Sequence, residues 1–343
     1  MNSSIQPSEN GNQDLLVQVH NLKKWFPVQK GLIDQILSRE TLHVRAVDGV
    51  SFDLHRGEVL GLAGESGSGK TTIGRLVLRL LEPTEGQIFF DGMDITHLKG
   101  EELRKLRRRM QVVFQDPFAS LNPRMKVGDQ IAHPHSIHLE ATREERRADV
   151  EEMMEHVGLT PARQIYDKYP HQLSGGMRQR AVLARALVTH PDLVVADEPI
   201  AMADVSVRAL LLDLMVRLQK ELNLTYLFIT HDLATAKYIC DRIGILYLGR
   251  LAEVGELKQV YRKSLHPYTQ ALLEAVPVPD PKFRRTVTMP KGEIPNPINP
   301  PSGCRFHPRC PVVRPDHCPV EEPELRELEP SHFVACLYAE DFL

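Results

Sequence analysis

Residues 64–72 read Gly64-Glu65-Ser66-Gly67-Ser68-Gly69-Lys70-Thr71-Thr72 and contain a complete G-x-x-x-x-G-K-[ST] loop. The chemistry open to such a loop is phosphate binding. Its glycines let successive backbone N–H groups turn inward around a polyphosphate, and a helix starting at the loop adds the positive end of its dipole. Lys70 is then placed to reach the β and γ phosphates, the Thr71 hydroxyl to ligate Mg²⁺, and Thr72 to lie beside the α phosphate. The ligand implied is a nucleoside triphosphate.

The flanking pattern suits that chemistry. Val59 to Ala63 is a short apolar run of the buried-strand type, and Ile73, Leu76, Val77, Leu80 and Leu81 recur at helical spacing. A second anion site follows from Leu173-Ser174-Gly175-Gly176-Met177-Arg178-Gln179, where Ser174 reads as an N-cap and the two glycines expose helix-terminal N–H groups. One fold cannot aim both anion sites at the same phosphate from the same side. Leu193 to Ala196 is another buried-strand run, and it ends in Asp197-Glu198. Carboxylates at the carboxyl end of such a strand sit where open α/β sheets bind ligands. There Asp197 would hold Mg²⁺, directly or through water, and Glu198 would act on water as a general base. A further strand, Tyr226 to Thr230, delivers His231-Asp232, and Val112-Val113-Phe114-Gln115-Asp116-Pro117 lies between the two anion sites.

The run Leu173–Gln179 resembles the signature of ATP-binding cassette (ABC) proteins, and the order of phosphate loop, Gln115, signature, Asp197-Glu198 and His231 is similar to the order in that family. The resemblance implies that two cassettes pair head to tail. Each ATP then lies between one subunit's phosphate loop and the other's signature, so that Ser174, Gly175, Gly176 and Gln179 belong to the nucleotide-binding set. It implies that Gln115 reaches Mg²⁺ and the attacking water, that His231 senses the γ phosphate, and that an aromatic near Asn21–Pro27 stacks on adenine. Aligning Pro27 selects Phe26, with Trp25 as the other ring. The implied fold is α/β: an ABC-type P-loop NTPase with a RecA-like core, an antiparallel β lobe and a helical subdomain, followed by a small irregular Cys-rich C-terminal lobe.

At 343 residues the chain is long enough for one large α/β domain with appendages. Its formal net charge of −3 argues against a nucleic-acid partner, which would call for a basic balance. The basic run Arg104, Lys105, Arg107, Arg108 and Arg109 is interleaved with Glu101, Glu102, Leu103 and Leu106, the pattern of a solvated helix face. No stretch approaches the roughly 18 apolar residues of a membrane span, and the N-terminus lacks a signal-peptide pattern. Any membrane role is therefore expected to run through a partner. Residues 1–13 are polar and expected to be disordered. Residues 14–262 hold the cassette, with a mostly helical stretch from about 97 to 185 in which Val150, Met153, Met154 and Val157 form one core stripe.

Residues 263–343 differ in kind. From Pro267 onward they carry 15 of the chain's 25 prolines, together with Cys304, Cys310, Cys318 and Cys336. Long helices are excluded there, and a separate irregular lobe needing a staple is expected. Four clustered thiols in a cytosolic protein suit a metal site better than disulfides. Their spacings match neither close CxxC zinc pairs nor the simple ferredoxin run. Cys240, on a helix pattern far from the others, is expected to be buried and inert.

Leu265-His266-Pro267-Tyr268-Thr269-Gln270-Ala271-Leu272-Leu273, Gly292-Glu293-Ile294-Pro295 and Asn299-Pro300-Pro301-Ser302-Gly303-Cys304-Arg305-Phe306 resemble the C-terminal extension of the oligopeptide/dipeptide importer ATPases. Ser120 to Arg124 and the insert from about Gln29 to His43 are similar to the second ATPase of such pairs. The resemblance implies a peripheral ATPase on the cytoplasmic face of the cell membrane that powers import of short peptides. Its implied partners are a second, different ATPase subunit, two transmembrane permeases and an extracytoplasmic solute-binding protein. Sister systems carry oligosaccharides, glutathione or nickel. A soluble ABC ATPase acting on ribosomes or DNA is the reading from another class, but the tandem cassettes or coiled-coil insertion typical of such proteins are not present. In the family the cysteine lobe is associated with a [4Fe-4S] cluster, with Zn²⁺ the alternative, since all-thiolate ligation suits both. One departure stands out. After Glu198-Pro199 the family usually runs Thr-Ser-Ala-Leu-Asp, whereas this chain has Ile200-Ala201-Met202-Ala203-Asp204.

Overall fold

The computed structural model describes residues 14–28, 42–276 and 292–343. The disorder expected of residues 1–13 and most of the insert from Gln29 to His43 lie outside the described residues. The described strands are β1 (Leu15–Pro27), β2 (His43–His55), β3 (Val59–Ala63), β4 (Glu85–Phe90), β5 (Met93–Asp94), β6 (Met110–Val113), β7 (Leu193–Asp197), β8 (Thr225–Ile229), β9 (Arg242–Tyr247), β10 (Arg250–Glu256), β11 (Arg326–Glu329) and β12 (His332–Val334). The chain packs as two units interleaved in sequence. Of the described residues, one holds 14–17 with Asp53–Val59 and Phe89–Ile229; the other holds those of 18–52, Leu60–Ile88 and those of 230–343. Among the described residues no helix is long and apolar enough to cross a membrane.

The core of the first unit is parallel. β7 pairs in register with β6 on one side and β8 on the other. Leu193 to Ala196 and Tyr226 to Ile229 are fully buried, as strands covered on both faces must be, which is why their sequences read as unbroken apolar runs. The stretch expected to be mostly helical is interrupted here: Met110–Val113 is a core strand. Four residues are too few for periodicity to separate strand from helix, and the parallel ladder with β7 decides. The helix Arg143–His156 opens on a Thr142–Glu145 capping box and buries Val150, Met153 and Met154, with Val157 just beyond. Gly100–Arg109 buries only Leu106. Arg104 pairs with Glu101, and Arg109 with Asp91 and Asp192, so the basic run is a solvated face.

The second unit holds a mixed sheet. β3 runs parallel to β9, whereas β9 with β10, β10 with β12, and β12 with β11 are antiparallel. β2, β1 and β4 lie side by side in another sheet. β1 runs unbroken from Leu15 to Pro27, so Trp25 and Phe26 are strand residues. Residues 292–343 of the proline-rich tail form two strands despite their composition, because their prolines fall outside β11 and β12 and Pro330 occupies the turn between them. Leu265, Val334 and Ala339 form a small apolar core there, packed against Leu328, Cys336 and Phe342. Cys240 is buried, as expected, against Gly61, where an added Cβ would lie 2.7 Å from its Sγ.

Glu253 ties the tail to this sheet. Fully buried, it accepts the N–H groups of Leu265 (2.8 Å) and His266 (3.1 Å) and faces His332 Nε2 at 2.7 Å. Burial opposes a charge on His332, but the Glu253 hydrogen bond and carboxylate outweigh it and hold the His332 pKa above its ordinary value. Because the folded pKa is raised, the stabilisation is complete below the ordinary histidine pKa of about 6.5 and fades as pH rises through the folded value. Glu253→Ala orphans three partners and should cost about 3 kcal/mol. Urea unfolding should show that loss, and the variant should lack the decline in stability that this pair gives the parent as pH rises.

Candidate functional site

In the second unit β3 delivers the chain to Gly64, and the helix Lys70–Val77 leaves from Gly69. At Gly64, with φ +146°, a Cβ would fall 2.2 Å from the Leu246 carbonyl oxygen; at Gly69, with φ +109°, it would fall 2.2 Å from that of Ala46. Only glycine fits either place. Ser68 N–H donates to the Glu65 carbonyl (3.2 Å), and Gly249 N–H donates to the Ser68 carbonyl (2.8 Å). The buried Lys70 ammonium donates to the carbonyls of Gly64 (2.8 Å) and Glu65 (2.9 Å) and reaches Ser68 Oγ at 3.3 Å. Ser66 and Gly67 are exposed, and Thr71 and Thr72 are half-buried in the first turn of the helix. The loop thus offers a fixed cation, inward-curving backbone and a helix start, the set that a polyphosphate requires.

The same unit presents His231. Thr230 N–H donates to the Leu62 carbonyl (3.1 Å), and Asp232 caps Leu233–Ile239 by accepting the Ala234 N–H (2.9 Å) and the Thr235 hydroxyl (2.6 Å). The exposed His231 is held between those two fixed points. On β1, Trp25 Nε1 donates to Asp48 (2.9 Å), and the cations of Lys23 and Arg45 lie 5.6 and 5.2 Å from its ring. Phe26 is half-buried, with Lys24 5.2 Å from its ring.

The acidic pair sits in the first unit. Asp197 ends β7, and Glu198 follows with φ +48°, a left-handed conformation costly for a residue with a side chain, its N–H donated to the Ile229 carbonyl at 2.9 Å. Gln115 Nε2 donates to Glu198 Oε2 at 2.8 Å. The sheet register explains how residues so distant in sequence meet. Val113 pairs with Ala196, and Gln115 and Glu198 each lie two residues past that pair, just beyond the ends of β6 and β7. Gln115 can thereby orient the Glu198 carboxylate without sharing its charge.

Also in this unit, Ser174 Oγ accepts the Met177 N–H at 3.3 Å and caps Gly175–Leu187, as expected. Ser174 and Gly175 are exposed and Gly176 is half-buried. Gln179 departs from its expected place in the nucleotide-binding set. It is buried beside Val182, Ile200 and Leu211, because five residues on from Ser174 is about 140° round the helix. In the divergent loop Ile200 is buried and Met202 is exposed.

In the tail, Cys304, Cys310, Cys318 and Cys336 line a single cavity of about 170 Å³ together with Phe306, Tyr338 and Phe342. Burial pushes the Cys304 thiol up to about 12 and Cys336 to about 11, and raises Cys310 as well. Among the described residues no group of three or more His, Cys, Asp or Glu is arranged to hold a metal ion.

Four residues outside the sequence-based set prove important. Arg309 makes a two-pronged pair with the Glu65 carboxylate (2.7 and 3.0 Å), and the Tyr268 hydroxyl accepts the Glu65 N–H (3.0 Å). Arg305 pairs with Asp48 and with the Leu248 carbonyl. Burial works against the Asp48 carboxylate, yet Arg305 holds its pKa below the usual range. The signals for them are faint: Tyr268 lies within the Leu265–Leu273 motif, and Arg309 directly precedes Cys310.

Residues 47–201 match the family described as ABC transporter, and residues 252–318 match the oligopeptide/dipeptide transporter C-terminal region. The chain is 50% identical over 328 residues to the oligopeptide transport ATP-binding protein AppF of Bacillus subtilis, covering 95% of this chain and 98% of that protein. It is 45% identical over 323 residues to the dipeptide transport ATP-binding protein DppF of Haemophilus influenzae, covering 94% and 96%. Among solved structures it is similar to the dimeric post-hydrolysis state of the ATP-binding cassette MJ0796 bound to ADP and Pi. That match has a TM-score of 0.60 and 28% identity, over 71% of this chain and 99% of that one.

Glu198→Gln should leave ATP binding intact while hydrolysis falls by roughly 10² to 10⁴, the range for removing a general base. Lys70→Ala should weaken ATP binding itself. Nucleotide titration beside single-turnover phosphate release separates the two effects.

Proposed function

Since the chain belongs to the ATP-binding subunits of ABC transporters for oligopeptides and dipeptides, we propose that it powers import of short peptides from the cytoplasmic face of the membrane. Its partners in this reading are a different ATPase subunit, two permeases and an extracytoplasmic solute-binding protein. The phosphate loop, residues Gly64 to Thr72, holds ATP, with Phe26 stacked on adenine, since the Trp25 edge is committed to Asp48. Mg²⁺ would be held by Thr71, Asp197 and Gln115 and would neutralise charge on the phosphate oxygens. Glu198 takes a proton from the attacking water, whose oxygen bonds to the γ phosphorus as the bond to ADP breaks; His231 senses the γ phosphate. The observation that carries this reading is the Gln115–Glu198 hydrogen bond at the end of the parallel strands. Ser174, Gly175 and Gly176 serve the ATP of the partner subunit, with Gln179 packing beneath them.

For the tail we infer a [4Fe-4S] cluster on Cys304, Cys310, Cys318 and Cys336. The cavity that the four cysteines share supports it, since all-thiolate ligation suits such a cluster. Thiols whose pKa is raised by burial stay protonated unless a cation replaces the proton, and bound iron would supply that charge.

Ser174→Arg should depress hydrolysis in the reconstituted importer while this chain's own ATP affinity is kept. Turnover there should rise with peptide-loaded binding protein; stimulation by a sugar or a nickel complex alone would overturn the substrate class. Protein prepared without oxygen should carry about four irons and four acid-labile sulfides per chain, lost in Cys310→Ser. One zinc and no iron would replace the cluster with a simpler staple.

A further inference from the structure

We propose that Arg309 and Tyr268 are positioning residues for the phosphate loop, acting through Glu65, so that the cysteine-bearing tail is a working part of the nucleotide site. The inference rests on reading Gly64–Thr71 as the loop that holds ATP. Glu65 lies between two glycines at positive φ, Gly64 and Gly67, and a Cβ at Gly67 would meet nothing within 4 Å. Backbone of this kind costs conformational entropy to fix, and the loop's own hydrogen bonds reach only the Glu65 carbonyl. The tail supplies the remaining restraints: the Tyr268 hydroxyl takes the Glu65 N–H, and Arg309 takes both carboxylate oxygens. The side chains of Arg309 and Glu65 are 5% and 19% exposed, so this is a charge-assisted fork largely out of water. Lys70 holds the same residue from its carbonyl side at 2.9 Å. A shift of Glu65 is therefore a shift of the Lys70 ammonium.

Arg309 has little freedom of its own. Its N–H donates to the Phe306 carbonyl (2.9 Å), and its guanidinium lies 5.8 Å from the Tyr247 ring. The Phe306 ring is 5.3 Å from both Tyr247 and Tyr268, which are 4.7 Å from each other. These rings join Arg309 and Tyr268 into one block whose edge, at Cys304, Phe306 and Cys310, lines the thiol cavity. A mere staple would hold the tail down and leave nucleotide affinity untouched, which separates the two roles experimentally.

The test uses the full chain, with MgATP affinity read by displacement of a fluorescent ATP analogue. Arg309→Gln should weaken MgATP binding about tenfold. Glu65→Gln removes the same pair from the loop side and leaves the tail intact; it should give the same loss, and the double variant should be no weaker than either single. Arg309→Lys, which keeps the charge but not the fork, should recover part of it. In the assembled importer the KM for ATP should rise by the same factor, while kcat at saturating ATP changes less than about twofold. Wild-type affinity in Glu65→Gln, or additive losses in the double variant, would overturn the inference whether or not Arg309→Gln folds. Lys70→Ala, run alongside, keeps the two readings apart. Undiminished binding there sinks the loop reading itself, whereas loss there with wild-type affinity in Glu65→Gln sinks only the positioning role.

Discussion

A buried ammonium must be solvated by something, and much of the second unit is arranged so that Lys70 is solvated by carbonyl oxygens. Those of Gly64 and Glu65 can face its Nζ only if the backbone curls at positive φ, and that curl brings Gly64 and Gly69 so close to the Leu246 and Ala46 carbonyls that no side chain fits. Carbonyl dipoles compensate the charge without cancelling it, so Lys70 keeps its capacity to meet an anion. The loop that results is rigid at its ends and weakly held at Glu65, which is where the tail takes hold.

The acidic residues depend on a different constraint, strand register. A one-residue slip between β6 and β7 would turn every side chain to the opposite face and carry Gln115 away from Glu198. The Val113–Ala196 pairing of the parallel ladder is thus what aligns two polar groups at its rim. The left-handed backbone at Glu198 is held there by the Ile229 carbonyl.

Much of this was legible in the sequence where the determinants are local. The phosphate loop, β3, the buried run of β7, the Ser174 cap and the Val150–Val157 stripe each carry their own spacing or turn chemistry. The rest depended on partners far along the chain. Met110–Val113 is too short to declare itself a strand without β7. Gln179 follows a motif of exposed residues, yet helix rotation turns it inward. β11 and β12 are hidden in a segment whose prolines suggest irregular structure, and Arg309 meets Glu65 across 244 residues, a pairing that no periodic signal encodes. The tail therefore reads as an accessory in the sequence and as a neighbour of the loop in the structure.

That adjacency has a thermodynamic reciprocal. Where the tail favours the loop conformation that binds ATP, ATP must favour the tail conformation that braces the loop, and by the same factor. The aromatic block of Tyr247, Tyr268 and Phe306 is then a two-way coupling. By that linkage a nucleotide held at the loop would steady Arg309 and Tyr268 in return, and through the three rings the cysteine-lined cavity beside them.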